Sequence, residues 1–133
     1  MLSHVHIGVS DFERAFGFYS ALLGELGLPL KFCDAEAGWA GWKPVDAERP
    51  LLLVGRPFDG RPASPGAGQM VALLAPSRAA VDRWHALALA LGAVDEGAPG
   101  LRPQYHPNFY GAYVRDLDGN KLCACHHQPE PAD

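Results

Sequence analysis

A shift of 66 residues lays one half of this 133-residue chain over the other, and that repeat limits the available folds more than any single motif. His4-Val-His-Ile falls over Met70-Val-Ala-Leu, Phe18 over Trp84 and Leu23 over Leu89. Each half reads as strand, helix, then three strands. In the first half, Val5, Ile7 and Val9 alternate with His4, His6 and Gly8, the period of a half-buried strand. Ser10 and Glu13 make the S-x-x-E pattern of a capping box. Phe12, Ala15, Phe16, Tyr19, Leu22, Leu23 and Leu26 follow at helical spacing until Gly27. Strands are predicted at Leu30 to Asp34, Gly38 to Lys43 and Leu51 to Arg56. Residues 57–67, rich in Gly and Pro and without periodicity, are the expected linker.

The second half begins again with a strand at Met70 to Ala75. Ser77 is the expected helix cap, Val81, Trp84, Ala88 and Leu91 the apolar stripe, and Gly92 the stop. The apolar run Ala86 to Val94 reads as one buried helix. An extended piece near Val94 and a long loop from Gly97 to Pro107 lead to a hairpin, Phe109 to Arg115 and Lys121 to His126, turning at Asp116-Leu-Asp-Gly-Asn120. The Pro-rich tail after Gln128 is expected to fray. A lone βαβββ unit buries one face of its sheet, and a twin can cover the other. The expectation is an α+β fold: one domain, 1–133, of two modules at about 1–56 and 68–127.

Composition removes several function classes. Apolar residues are 48% of the chain and charged residues 20%, an ordinary globular balance. Eleven basic against fifteen acidic residues, with no basic block, argue against nucleic acid as a partner. No apolar run approaches the roughly 18 residues of a membrane span, so no membrane partner is expected. The first residues carry no Lys or Arg and no cleavage-site pattern, so no signal peptide is expected. Three cysteines, an odd number, suit reduced thiols and a cytoplasmic location. The stretch 55–68 lacks the G-K-[ST] ending of a phosphate loop, and no G-x-S-x-G elbow occurs.

His4-Val-His-Ile-Gly-Val-Ser-Asp11, Phe18-Tyr19, Pro76-Ser77-Arg78 and Val114-Arg-Asp-Leu-Asp-Gly-Asn-Lys-Leu122, taken in this order, resemble the vicinal oxygen chelate superfamily, the glyoxalase, bleomycin-resistance and extradiol-dioxygenase group. The family's closing hairpin usually has Pro where Leu117 stands. The resemblance implies two βαβββ modules forming a curved mixed sheet with outer helices, and a homodimer. It also implies a divalent metal held by one ligand from the first and one from the last strand of each module. His4 occupies the first of these positions, while the others fall on Met70, near Leu53 and on Cys123. Thioether and isobutyl groups do not replace imidazole and carboxylate on such a metal. The implied protein keeps a small-molecule cavity, has no expected cofactor, and retains His4 alone among the ligand positions. A divalent metal with nonstandard ligands, in a lyase or isomerase of lactoylglutathione-lyase type, is the alternative. A drug-sequestering protein of bleomycin-resistance type is another.

His4 and His6 share a strand face, which makes them the candidates for acid–base work or ligand contact; hydrogen-bonded cavity-wall histidines are the bland alternative. Cys123 and Cys125 also share a face. They are read as pocket-lining residues, as small buried hydrophobes, or with the histidines as a soft zinc or copper site. The loop Arg102-Pro-Gln-Tyr-His-Pro-Asn-Phe-Tyr110 concentrates Arg102, Tyr105, His106 and Tyr110 between prolines, a composition suited to a rim around an anionic or aromatic ligand. Met70 and Tyr113 complete the predicted lining. Trp39 and Trp42 are expected on opposite strand faces, and His126 and His127 in solvent.

Overall fold

A computed structural model describes residues 1–131. The chain forms two compact units, Met1–Gly66 and Ala67–Asp133. The first runs β1 (His4–Gly8), α1 (Phe12–Glu25), β2 (Leu30–Asp34), β3 (Trp39–Trp42) and β4 (Leu51–Gly55). Its sheet has the order β1-β4-β3-β2, with β1 parallel to β4 and the other pairs antiparallel. The parallel pair is possible because α1 and the two strands after it carry the chain back across the sheet. Paired residues share a face, so Ile7, Val54, Ala40 and Trp42 form one side. All four are buried, and the Trp42 ring lies 5.9 Å from Phe16 of α1. Phe12, Ala15, Phe18, Tyr19, Leu22 and Leu23 close that core from the helix.

The cap of α1 differs from the capping box. Asp11, one residue after Ser10, is the N-cap, and its carboxylate accepts the Arg14 N–H at 3.2 Å. Ser10 is engaged elsewhere: its hydroxyl accepts the Ala63 N–H at 2.8 Å and holds the glycine- and proline-rich segment against this unit. A carboxylate at the helix start also meets the positive end of the helix dipole.

The second unit repeats the plan: β5 (Val71–Leu74), α2 (Arg78–Ala90), β6 (Val94–Leu101), β7 (Tyr110–Arg115) and β8 (Lys121–His126), in the order β5-β8-β7-β6. Ser77 caps α2 through the Ala80 N–H, as its sequence context predicts. Ala80, Val81, Trp84 and Ala88 of α2 are buried with Ala112, Val114, Leu122 and Ala124 of the sheet. The apolar run Ala86 to Val94 is only partly buried, since Leu89, Leu91 and Val94 are exposed. The helix ends at Ala90, so the later residues leave its stripe.

The long loop expected from Gly97 is shorter than the sequence suggests, because β6 extends to Leu101. Gly97, Pro99 and Gly100 read as breakers. The strand tolerates them because it is an edge strand that shifts register between Asp95 and Gly97 and again before Gly100. In the closing turn, Gly119 takes φ 91° and Asp116 Oδ1 accepts the Asp118 and Asn120 N–H groups. The expected fraying tail reaches past residue 131 and there lies outside the described residues. Among the described residues no helix is long and apolar enough to cross a membrane.

The two sheets also share a register. His6 pairs with Leu53 and Gly8 with Gly55 in the first; Ala72 pairs with Cys123 and Leu74 with Cys125 in the second. Leu53 therefore corresponds to Cys123, and Gly55 to Cys125.

Candidate functional site

Each sheet has a face turned away from its helix. In the first unit that face carries His4, Leu51, His6, Leu53, Trp39 and Phe32, by strand parity and register. Both histidines are exposed on it. His4 Nδ1 is hydrogen-bonded to Ser3 Oγ at 2.9 Å. The pKa of His6 is lowered, first by burial of its ring and then by the charge of His4. His6 is thus neutral at pH 7 and has a lone pair to offer. The expected split of the tryptophans holds: Trp42 enters the core, while Trp39 stands on the open face with its ring 4.8 Å from Phe32, edge to face.

Glycine makes room for this arrangement. A Cβ on Gly55 would lie 2.6 Å from Trp39 Cβ and 3.2 Å from His6 Nε2, so the indole and the imidazole flank a position that must be bare. A Cβ on Gly38 would lie 2.7 Å from Arg56 Cζ, and Gly38 has φ 78°. The Arg56 guanidinium rests against that backbone. Arg56 is exposed and has no carboxylate partner among the described residues. His6, Trp39, Arg56 and Phe58 line a cleft of about 660 Å³. Sequence reasoning missed Arg56 and Phe58. They lie in or beside a glycine- and proline-rich segment whose composition gives no sign of side-chain direction.

In the second unit the open face carries Tyr113, Gly111, Cys123 and Cys125. Cys123 and Cys125 are buried. Tyr113 is pushed up to about 12, by burial first and then by the Cys123 thiol. Hydrogen bonding with Cys125, then burial, drives the Cys123 pKa upward, whereas Cys125 is drawn down to about 6. The Cys123 hydrogen bond is the largest cause of that fall, with the His127 and His126 imidazoles adding to it against burial. Met70 is exposed just before β5.

The loop 102–109 is divided by the structure. Arg102 donates to the Gly100 and Ala98 carbonyls at 2.9 and 2.8 Å and lies 5.5 Å from the centre of the Tyr113 ring. Those contacts brace the loop on β6. Tyr105, His106 and Phe109 pack together, with His106 and His127 stacked at 5.1 Å. Tyr110 is a correction. Its hydroxyl donates to Asp82 of α2 at 2.6 Å, on the helix side, so it does not share the face of Tyr113 and Cys123. The Asp82 carboxylate holds its phenol at about 12. His127 is a second correction: it is half-buried and bonded on both ring nitrogens.

The donors at the family's ligand positions are one imidazole, one thioether, one isobutyl group and one thiol that resists ionisation. They do not fit a divalent ion that takes nitrogen and carboxylate oxygen. Among the described residues no three His, Cys, Asp or Glu side chains gather in a metal-binding group.

Comparison with known proteins places this geometry. A family model described as the Glyoxalase/Bleomycin resistance protein/Dioxygenase superfamily matches residues 1–124. A glyoxalase/bleomycin resistance protein from Albidiferax ferrireducens T118 is 35% identical, with a TM-score of 0.84 over 95% of this chain and 98% of that one. A glyoxalase-related enzyme from Fulvimarina pelagi (19% identity, TM-score 0.69, covering 100% and 94%) shares the fold. So does a lactoylglutathione lyase from Agrobacterium tumefaciens (22% identity, TM-score 0.63, covering 95% and 92%). No curated protein matches the sequence. The chain belongs to the glyoxalase/bleomycin resistance protein/dioxygenase superfamily.

Proposed function

We propose that this chain is a glyoxalase-like protein that binds a small, planar, anionic molecule without the family's usual metal. The observation that carries the reading is the cleft of about 660 Å³ on the open face of the first sheet. Its features are complementary to that ligand class. Arg56 supplies an uncommitted guanidinium, which suits a carboxylate because its donors form a planar fork. Trp39 and Phe58, both exposed, supply flat apolar surface beside it. Neutral His6 accepts a hydrogen bond from a ligand hydroxyl, or takes a proton from one.

The test is a calorimetric titration of the purified chain with matched aromatic ligands, one series carrying a carboxylate and the other its neutral amide. The carboxylates are expected to bind and the amides to bind at least tenfold more weakly. Arg56→Ala should erase the difference between the series. Equal affinity for both would refute the anionic reading, and preferential binding of bulky cationic aromatics would favour the drug-sequestering alternative. Elemental analysis of the purified protein addresses the metal separately. Stoichiometric zinc, nickel, iron or manganese that is lost on His4→Ala would favour the lyase or isomerase alternative.

A further inference from the structure

The ligand cleft leaves unused a group of reactive side chains in the second unit. Strand parity puts Cys123, Cys125 and His127 on one face of the chain through β8, and the loop before β7 lays His106 beside them. Cys125 Sγ lies 3.5 Å from His127 Nε2, and His127 Nδ1 lies 2.8 Å from His106 Nε2.

The direction of these bonds follows from a fixed end. The Asn108 backbone N–H points at His106 Nδ1 at 3.1 Å, and an amide N–H only donates. His106 Nδ1 is therefore bare, and the neutral ring carries its proton on Nε2. That proton is donated to His127 Nδ1, which leaves the His127 proton on Nε2, aimed at sulfur. Cys125 is thus an acceptor at its imidazole contact. A thiol proton on it would have to reach the Leu73 carbonyl, 3.8 Å away. The neighbouring Cys123, on the same face of β8, has its own ionisation disfavoured, so the negative charge falls on Cys125. An imidazole N–H facing the sulfur stabilises its anion.

We infer that Cys125 is a peroxide-reactive thiol, oxidised to a sulfenic acid, with His127 donating to the sulfur and His106 acting as the positioning residue. The sulfur is almost covered, at 4% residue exposure, which selects a reagent of two heavy atoms over bulkier electrophiles. The thiolate attacks one peroxide oxygen. The S–O bond forms as the O–O bond breaks, and the second oxygen leaves as hydroxide, which takes a proton from solvent. Sulfur is oxidised by two electrons and the peroxide is reduced by two.

Cys123 is badly placed to convert this product to a disulfide. Alternate Cα atoms on a strand are about 6.6 Å apart. That is near the roughly 6.8 Å upper limit for a disulfide. Strand β8 is also paired on both sides, which resists the bending that would shorten the gap.

The test treats the full chain at pH 6 with a few equivalents of hydrogen peroxide for timed intervals, removes the peroxide with catalase, unfolds the chain in excess dimedone, a carbon acid that traps the sulfenic acids already formed, and maps the label by mass spectrometry. Cys33 is the internal control, being exposed. At pH 6 a sulfur that faces an imidazole N–H keeps more of its thiolate than a thiol without such a donor. The weaker nucleophilicity of the more acidic thiolate removes much of that advantage, so Cys125 is expected to be labelled about tenfold faster than Cys33. His127→Gln should bring the two rates together. His106→Gln, which does not touch sulfur, should move the pH midpoint of Cys125 labelling upward. Faster labelling of Cys33, loss of two hydrogens between Cys123 and Cys125, or a Cys125 rate indifferent to both histidine variants would overturn the inference. Circular dichroism of each variant checks that it folds, and the wild-type ratio of the two cysteines stands whichever variant fails.

Discussion

Substituting Gly55 by alanine tests whether the open face of the first sheet depends on a missing side chain. The new methyl would sit 2.6 Å from Trp39 Cβ, 3.2 Å from the Gly38 carbonyl oxygen and 3.2 Å from His6 Nε2. The first contact is with the root of a side chain and the second with backbone, so strands β3 and β4 must move apart to relieve them. Overpacking of this kind costs about 1–3 kcal/mol. Against it, replacing glycine restricts the unfolded chain and returns about 0.4–1 kcal/mol. The net expectation is a loss of roughly 1–2 kcal/mol, or a fall in Tm of about 4–7 °C for a chain of this size.

Two further glycines calibrate the assay. At Gly41 the added methyl meets the far ends of Phe32 and Leu53, at 2.5 and 2.9 Å, and both can swing aside. Gly41→Ala should cost less. At Gly17, exposed within α1, nothing lies within 4 Å. Gly17→Ala should therefore raise stability by about 0.5–1 kcal/mol. The readout is the urea midpoint and thermal melt of all three variants beside the parent. If Gly55→Ala is as mild as Gly41→Ala, the crowding between Trp39 and His6 is not what keeps that position bare, and the geometry of the cleft is wrong.

Other outcomes follow from single contacts. Removing the Tyr110 hydroxyl, as Tyr110→Phe, breaks the bond to Asp82 that ties β7 to α2, and denaturant unfolding should show a loss of about 1 kcal/mol. Unchanged affinity for the cleft ligands is expected in the same variant. Ser77→Ala removes the cap of α2 and should cost about 1 kcal/mol, with the loss visible in the helical circular-dichroism signal. The Asp95 pKa is lowered by the His85 hydrogen bond first and the Gly97 N–H second. Its contribution is present above the ordinary carboxylate range and lost as pH falls through the lowered value, so Asp95→Asn should flatten the acid limb of the stability–pH curve. An unaltered acid limb would show that the pair adds nothing measurable at the surface.

Alternation and punctuation made most of the fold legible. Leu30 to Asp34 and Lys121 to His126 are strands with the predicted bounds, and Ser77 and Gly92 bracket α2 as read. What failed was what depends on tertiary partners. Ser10 looks like a cap in isolation but is bonded to Ala63, a residue fifty-three positions later. Gly97 and Pro99 look like a loop, yet an edge strand needs hydrogen bonds on one side only and absorbs them. The pairing of His4 with His6 and of Cys123 with Cys125 follows from parity alone. Arg56 was invisible because only the folded backbone shows its guanidinium lying on Gly38, and His127 because one of its two partners, His106, comes from a loop twenty-one residues earlier. Tyr110 fell inside the strand predicted at Phe109 to Arg115, but it was grouped with the loop as pocket lining although its parity, opposite to that of Tyr113, turns it toward α2.

The correspondence of Gly55 with Cys125 has an evolutionary reading. If one ancestral half was copied, the same rung of the ladder has since been hollowed in one copy and given a soft nucleophile in the other. Superimposing the halves to find shared functional residues would average these two specialisations into noise. The informative comparison is between whole chains, half against like half, where covariation of Gly55 with Trp39 and of Cys125 with His127 would show the two tasks drifting separately.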